Sequence, residues 1–103
     1  IVKKRGIKIN YGTAAKELIT INGEVKGLKA IKNKRLKIFY ANNIILACGG
    51  FEADAKMRKK YLGNGWENVK VRGTKHNTGD GLKMSFKLGA SLWRMERMSC
   101  CFS

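Results

Sequence analysis

Two short turns hold the residues best placed to do chemistry. Ala47-Cys48-Gly49-Gly50 ends the apolar run that begins at Ile44, and Asn77-Thr78-Gly79-Asp80-Gly81 opens a second apolar segment. At Gly49 and Gly50 no β-carbon keeps a bulky ligand away from the main chain, and glycine tolerates unusual φ and ψ. In open α/β sheets, ligands bind beyond the carboxyl ends of the strands. A plain strand-to-helix turn would carry the same residues. In the second turn, Asn77 or Thr78 can cap the helix that follows. The exposed amides at a helix start attract polar or anionic groups. Asp80 would repel a phosphate there, yet it can accept hydrogen bonds from ribose hydroxyls or from amides. It also suits a simple helix start, where the dipole favours a carboxylate. Each turn alone has two readings. Two such turns, each at the end of a regular element, point to a nucleotide cofactor site.

The other reactive side chains are few. His76 is the only histidine, lies between Lys75 and Asn77, and reads as a surface residue. Arg72 precedes Gly73 in the same loop and can hold a carboxylate or stand solvated. Cys48 has no base paired with it and reads as a small buried filler rather than a nucleophile. Cys100 and Cys101 are adjacent and the cysteine count is odd, so no disulfide framework is expected. One histidine cannot complete a zinc site. A reducing compartment, and so a cytoplasmic location, fits this thiol usage. Trp66 and Trp93 read as packing anchors.

The formal net charge is +15, from 22 basic and 7 acidic residues. Such a balance admits a small basic nucleic-acid-binding module. Two features favour a solvated face or an anion-attracting field instead. The basic residues are mostly lysine, whereas base-edge and phosphate-fork recognition favours arginine. They are also spread along the whole chain.

The elements that must carry these turns can be read from periodicity. Ile7, Ile9 and Tyr11 alternate with polar residues, a short half-buried strand. Asn22-Gly23 suits a two-residue hairpin turn with positive φ at both positions. It makes strands of Thr13 to Ile21 and of Val25 to Ile31. Lys32 to Arg35 forms a second turn, and Leu36, Ile38 and Tyr40 mark a third strand. Residues 13–40 are expected as a three-stranded antiparallel meander. Ile44 to Ala47 is continuously apolar, as in a parallel strand buried on both faces. Glu52 to Leu62 is expected as a helix stopped by Gly63. The pairs Leu82/Phe86 and Met84/Leu88 mark a second helix ended by Gly89. The fold class expected is α/β: part of a Rossmann-like domain with a meander, a buried parallel strand and two helices. No apolar run approaches the ~20 residues that span a bilayer.

These motifs, in this order, resemble the FAD-dependent oxidoreductases of the fumarate reductase and succinate dehydrogenase flavoprotein family. Glu24-Val25-Lys26-Gly27-Leu28 is similar to the family's meander strand. Ile44-Ile45-Leu46-Ala47-Cys48-Gly49-Gly50-Phe51 is similar to its "VVLATGGF" strand, with Cys48 in place of the usual Thr. Asn77-Thr78-Gly79-Asp80-Gly81-Leu82-Lys83-Met84 is similar to its "TGDG" helix start. Met57 to Gly63 and Val71 to Thr74 resemble tricarballylate dehydrogenase-like members more narrowly. The resemblance covers about residues 6–90. Its implications are as follows. FAD is the cofactor. Ala15 meets its adenosine part, Ala47, Cys48, Gly49 and Gly50 line the dinucleotide, and Asp80 contacts FAD with Asn77, Thr78 and Gly79 beside it. A hydride passes between flavin and a small-molecule substrate bearing a carboxylate or ketone. Residues 1–103 are expected as a partial FAD-binding domain, partnered by the rest of its own flavoprotein chain. The amino-terminal G-x-G-x-x-G fingerprint and the family's catalytic Arg and His lie outside the matching part. Residues 91–103 are atypical of what usually follows. No catalytic residue is expected in the chain, and nucleic acid is the disfavoured partner.

Overall fold

A computed structural model describes residues 1–96, which fall into two compact units, residues 1–44 and residues 45 onward.

The first unit is a β-meander. Strands β1 (Thr13–Ile21), β2 (Glu24–Lys32) and β3 (Arg35–Tyr40) pair antiparallel in that order. Asn22 (φ 51°) and Gly23 (φ 78°) both occupy the left-handed region, as the expected hairpin requires. The second hairpin adopts the same handedness with Asn33 (φ 50°) and Lys34 (φ 62°). Lysine is an uncommon residue there, because its β-carbon crowds the backbone at positive φ. The β1–β2 register slips between Ala15 and Glu17 and again between Ile19 and Thr20, which adds twist to the pair. Leu18 and Ala30 form the buried centre of this unit.

One face of β3 carries Leu36, Ile38 and Tyr40, and all three are exposed. Ile7, Ile9 and Tyr11 are exposed as well and join no ladder. The half-buried strand expected there is replaced by loop after a 3₁₀ turn at Lys3–Arg5. Alternation alone cannot make a strand without a partner edge to take its hydrogen bonds.

The second unit holds helices α1 (Ala55–Leu62) and α2 (Asp80–Lys87). Asp54 caps α1, its side chain accepting from the Met57 amide at 3.0 Å. Phe51, Met57 and Met84 are buried between the turns and the helices, and Phe51 packs edge-on against Tyr61 at 5.7 Å. The α/β class, the meander and the two helices stand as expected. Ile44 to Ala47 differs in its surroundings: it joins no ladder among the described residues, and Ile45 is 90% exposed. A parallel strand is buried only when neighbours flank it on both sides. Trp93 is 81% exposed, with Arg94 over its ring at 5.7 Å, so the packing role expected for it is not met. No helix among the described residues is long and apolar enough to cross a membrane.

Candidate functional site

The turn after Ala47 and the turn before α2 are bonded to one another. The Gly79 amide donates to the Gly50 carbonyl at 2.9 Å, and the Ala53 amide donates to the Asn77 carbonyl at 2.9 Å. A side-chain bridge runs beside them, from Asn77 Nδ2 to Glu52 Oε1. Three contacts thus join segments some 25 residues apart in sequence, so the two glycine turns form one structure rather than two.

Glycine is required on both sides of this junction. Gly49 has φ +74°, and a β-carbon there would lie 2.5 Å from Asn77 Oδ1. Gly79 has φ +73°, and its β-carbon would lie 2.5 Å from Met57 Sδ and 3.0 Å from Phe51 Cβ. Any larger residue would meet both left-handed strain and a clash.

The start of α2 is open. Gly79 is its cap residue, and no side chain caps the helix, contrary to the cap expected from Asn77 or Thr78. Asn77 is turned to Glu52 instead, and the Thr78 hydroxyl donates to Asp80 Oδ1 at 3.0 Å. That bond orients an exposed carboxylate at the mouth of the junction. Cys48 flanks the same helix start: a β-carbon on Gly81 would lie 3.4 Å from Cys48 Cβ. Cys48 is an exposed free thiol, not the buried filler expected, because the run preceding it is itself uncovered.

Lys83 braces the junction from α2. Its Nζ donates to Asp54 Oδ2 at 2.7 Å and to the Thr78 carbonyl at 2.8 Å. Burial works to raise the Asp54 pKa, but the hydrogen bonds from Lys83 and from the Met57 amide outweigh it and hold the carboxyl below its usual value.

Arg58 is the buried charge of this unit, 5% exposed. Its guanidinium donates to four main-chain carbonyls: Glu52 at 2.6 Å, Trp66 at 2.8 Å, Glu67 at 3.0 Å and Val69 at 3.2 Å. The planar fork of donors ties the loop after α1 back to the turn before it. Sequence reasoning gave Arg58, Glu52 and Lys83 no such roles. Their partners are carbonyls or distant side chains, for which no spacing signal exists.

The expected site residues therefore divide in two. Cys48, Gly49, Gly50, Asn77, Thr78, Gly79 and Asp80 gather at the junction, and Ala47 leads into it. Ala15 lies in the first unit, half-buried on β1 opposite Ala30. His76 and Arg72 are exposed in the loop before Asn77. Among the described residues no cluster of His, Cys, Asp or Glu could hold a metal ion. Cys100 and Cys101 lie outside the described residues. The junction suits a dinucleotide: small residues from Ala47 to Gly50 leave main chain exposed, and Asp80 offers acceptors to hydroxyls.

Residues 2–101 match the family described as FAD binding domain. The chain is 34% identical over 101 residues to a 3-oxosteroid 1-dehydrogenase of Mycobacterium tuberculosis, covering 92% of this chain and 18% of that one. It is 35% identical over 95 residues to a urocanate reductase of Eggerthella lenta, covering 89% and 16%. The crystal structure of a 3-ketosteroid delta1-dehydrogenase from Sterolibacterium denitrificans superposes with a TM-score of 0.85 at 27% identity, covering 92% of this chain and 18% of that chain. The chain thus spans less than a fifth of the length of these relatives. It belongs to the FAD-binding domain family of the fumarate reductase and succinate dehydrogenase flavoproteins, whose cofactor is FAD.

Proposed function

We propose that residues 1–103 are an inner part of the FAD-binding domain of a dehydrogenase or reductase. In this reading the larger enzyme passes a hydride between flavin and a small substrate bearing a carboxylate or a ketone. The observation that carries it is the bonded pair of turns, with Gly79 N–H on the Gly50 carbonyl and Asp80 held at the rim by Thr78. Ala47, Cys48, Gly49 and Gly50 present main chain to the dinucleotide. Asp80 accepts from its hydroxyls, with Asn77, Thr78 and Gly79 fixing the approach. Ala15 meets the adenosine end. Bound FAD supplies the hydride chemistry, and this segment binds, orients and excludes water. The names of the relatives, a steroid ketone dehydrogenase and a urocanate reductase, support the substrate class. The uncovered run at Ile45 is where neighbouring strands of the larger domain would pair. A cytoplasmic location belongs to the same reading and rests on thiol usage.

The test is flavin titration of the full-length natural chain and of Asp80→Ala. We expect a flavin absorbance spectrum in the first and about tenfold weaker FAD binding in the second, as for loss of a hydrogen bond to a charged group. Equal affinity in both would remove Asp80 from the site, and a full-length chain that never binds flavin would end the proposal.

A further inference from the structure

The meander carries a second concavity, of about 600 Å³, that the flavin reading does not use. Lys8, Lys32, Arg35 and Lys37 line it, with Asn33 at the hairpin tip and Phe39 as an aromatic wall.

Its origin lies in the strand register. Lys32 pairs directly with Arg35, Ala30 with Lys37, and Leu28 with Phe39. Alternate residues share a face, so Arg35, Lys37 and Phe39 project together, beside Lys32. The concavity is walled by these cations, with Lys8 and Asn10 from the segment before β1.

Among the described residues the charges are uncompensated. The carboxylates of residues 1–44 are Glu17 and Glu24. Glu17 pairs with Lys29 at 3.2 Å, and Glu24 with Lys26 at 3.1 Å. None of the four lining cations has an ion-pair partner among the described residues. Like charges placed directly opposite on a ladder destabilise it, and Lys32 faces Arg35 in that way. The tip between them holds Asn33 and Lys34 in the left-handed backbone of the hairpin turn. A ligand with several negative charges would relieve the repulsion. Phosphate oxygens match this wall of ammonium donors and one guanidinium fork. The volume is within the range of small-molecule sites.

We propose that this concavity binds a small oligophosphate of two or more phosphates, held by Lys8, Lys32, Arg35 and Lys37. Phe39 gives a nucleoside base a face to stack on, so an inorganic chain and a nucleotide are two sources of the same chemistry. The proposal does not depend on the flavin reading, since its residues all lie within residues 1–44, outside the two glycine turns.

The test is calorimetric titration of the full-length natural chain, FAD-loaded and FAD-free, with inorganic diphosphate, inorganic tripolyphosphate, ADP and sulfate. We expect one saturable site for tripolyphosphate and ADP, little binding of sulfate, and affinity that falls as salt rises. Arg35→Gln and Lys37→Gln, both at exposed positions, should each weaken binding by about tenfold while leaving flavin absorbance unchanged and the ligand-free melting temperature no lower. Tighter ADP than diphosphate, lost in Phe39→Leu, assigns the site to nucleotides; equal affinities assign it to the phosphate chain. Four results would overturn the proposal. The first is no saturable binding of tripolyphosphate, and the second is affinity unaltered in both Gln variants. The third is release of FAD in step with tripolyphosphate uptake, which would give the concavity to the cofactor itself. The fourth is single-stranded oligonucleotide binding far tighter than tripolyphosphate, which would mark a nucleic-acid track.

Discussion

Gly49→Ala is the most direct challenge to the junction. At φ +74° an alanine must sit in left-handed backbone, which costs about 1–2 kcal/mol. Its β-carbon also falls 2.5 Å from Asn77 Oδ1, so Asn77 must swing away from Glu52. Losing a hydrogen bond to a charged group removes about 1.5–3 kcal/mol. Together the substitution should destabilise the second unit by roughly 2.5–5 kcal/mol, a large share of a domain's stability. The assay is urea unfolding of the full-length chain with and without FAD, for Gly49→Ala, Asn77→Ala and the double variant. In the Asn77→Ala background the clash and the hydrogen bond are already gone, leaving only the backbone strain of about 1–2 kcal/mol. The cycle should show coupling of about 1.5–3 kcal/mol, less than additive. Strict additivity would mean that Asn77 does not press on Gly49, and a neutral Gly49→Ala would refute the geometry altogether.

Further outcomes follow from the same contacts. Arg58→Met leaves four carbonyls without their donor and should cost about 3–5 kcal/mol in chemical denaturation. Arg58→Lys should recover only part, since an ammonium cannot span the fork; full recovery would contradict that account. Asp54 has a folded pKa below its reference of 3.8, so its contribution is present above that pH and is lost as pH falls through the folded value. Asp54→Asn should therefore flatten the acid limb of the stability curve below about pH 4 and leave its shape near neutrality unchanged; an unaltered acid limb would exclude the Lys83 pairing. Gly79→Ala should mimic Gly49→Ala in stability, and combined with Met57→Ala, which clears the 2.5 Å contact, the two losses should be less than additive in melting temperature.

The parts of this fold that could be read in advance share one property: their causes are local. Asn22-Gly23 fixes a hairpin because both residues tolerate positive φ, and β1 ends and β2 begins on either side of that turn. The helices announced themselves through apolar pairs four residues apart and through Gly63, the cap residue that ends α1. The glycine turns could be named as site candidates because missing side chains are visible in a sequence. What they approach is not visible. Gly49 makes room for Asn77, and Gly79 for Met57 and Phe51, so part of the glycine requirement is internal packing between the turns. The same non-locality hides Glu52 and Arg58, whose partners are a carboxamide 25 residues away and a set of carbonyls.

Burial was the least local quantity and the one most often misjudged. Cys48, Ile7, Ile9 and Trp93 were expected to pack, and each is exposed. Apolarity states what a residue would gain from cover and says nothing about where the cover comes from. The run from Ile44 makes the point sharply. Its composition suits a strand flanked on both sides, yet Ile45 stands 90% exposed while Phe51, six residues on, is 6% exposed. Phe51 is covered because α1 sets Tyr61 edge-on against its ring and the turn before α2 closes on it at Gly79. Ile45 has no counterpart within the described residues. Local stitching through Gly50, Asn77 and Gly79 holds the mouth of the site together by contacts that all lie within residues 50–79.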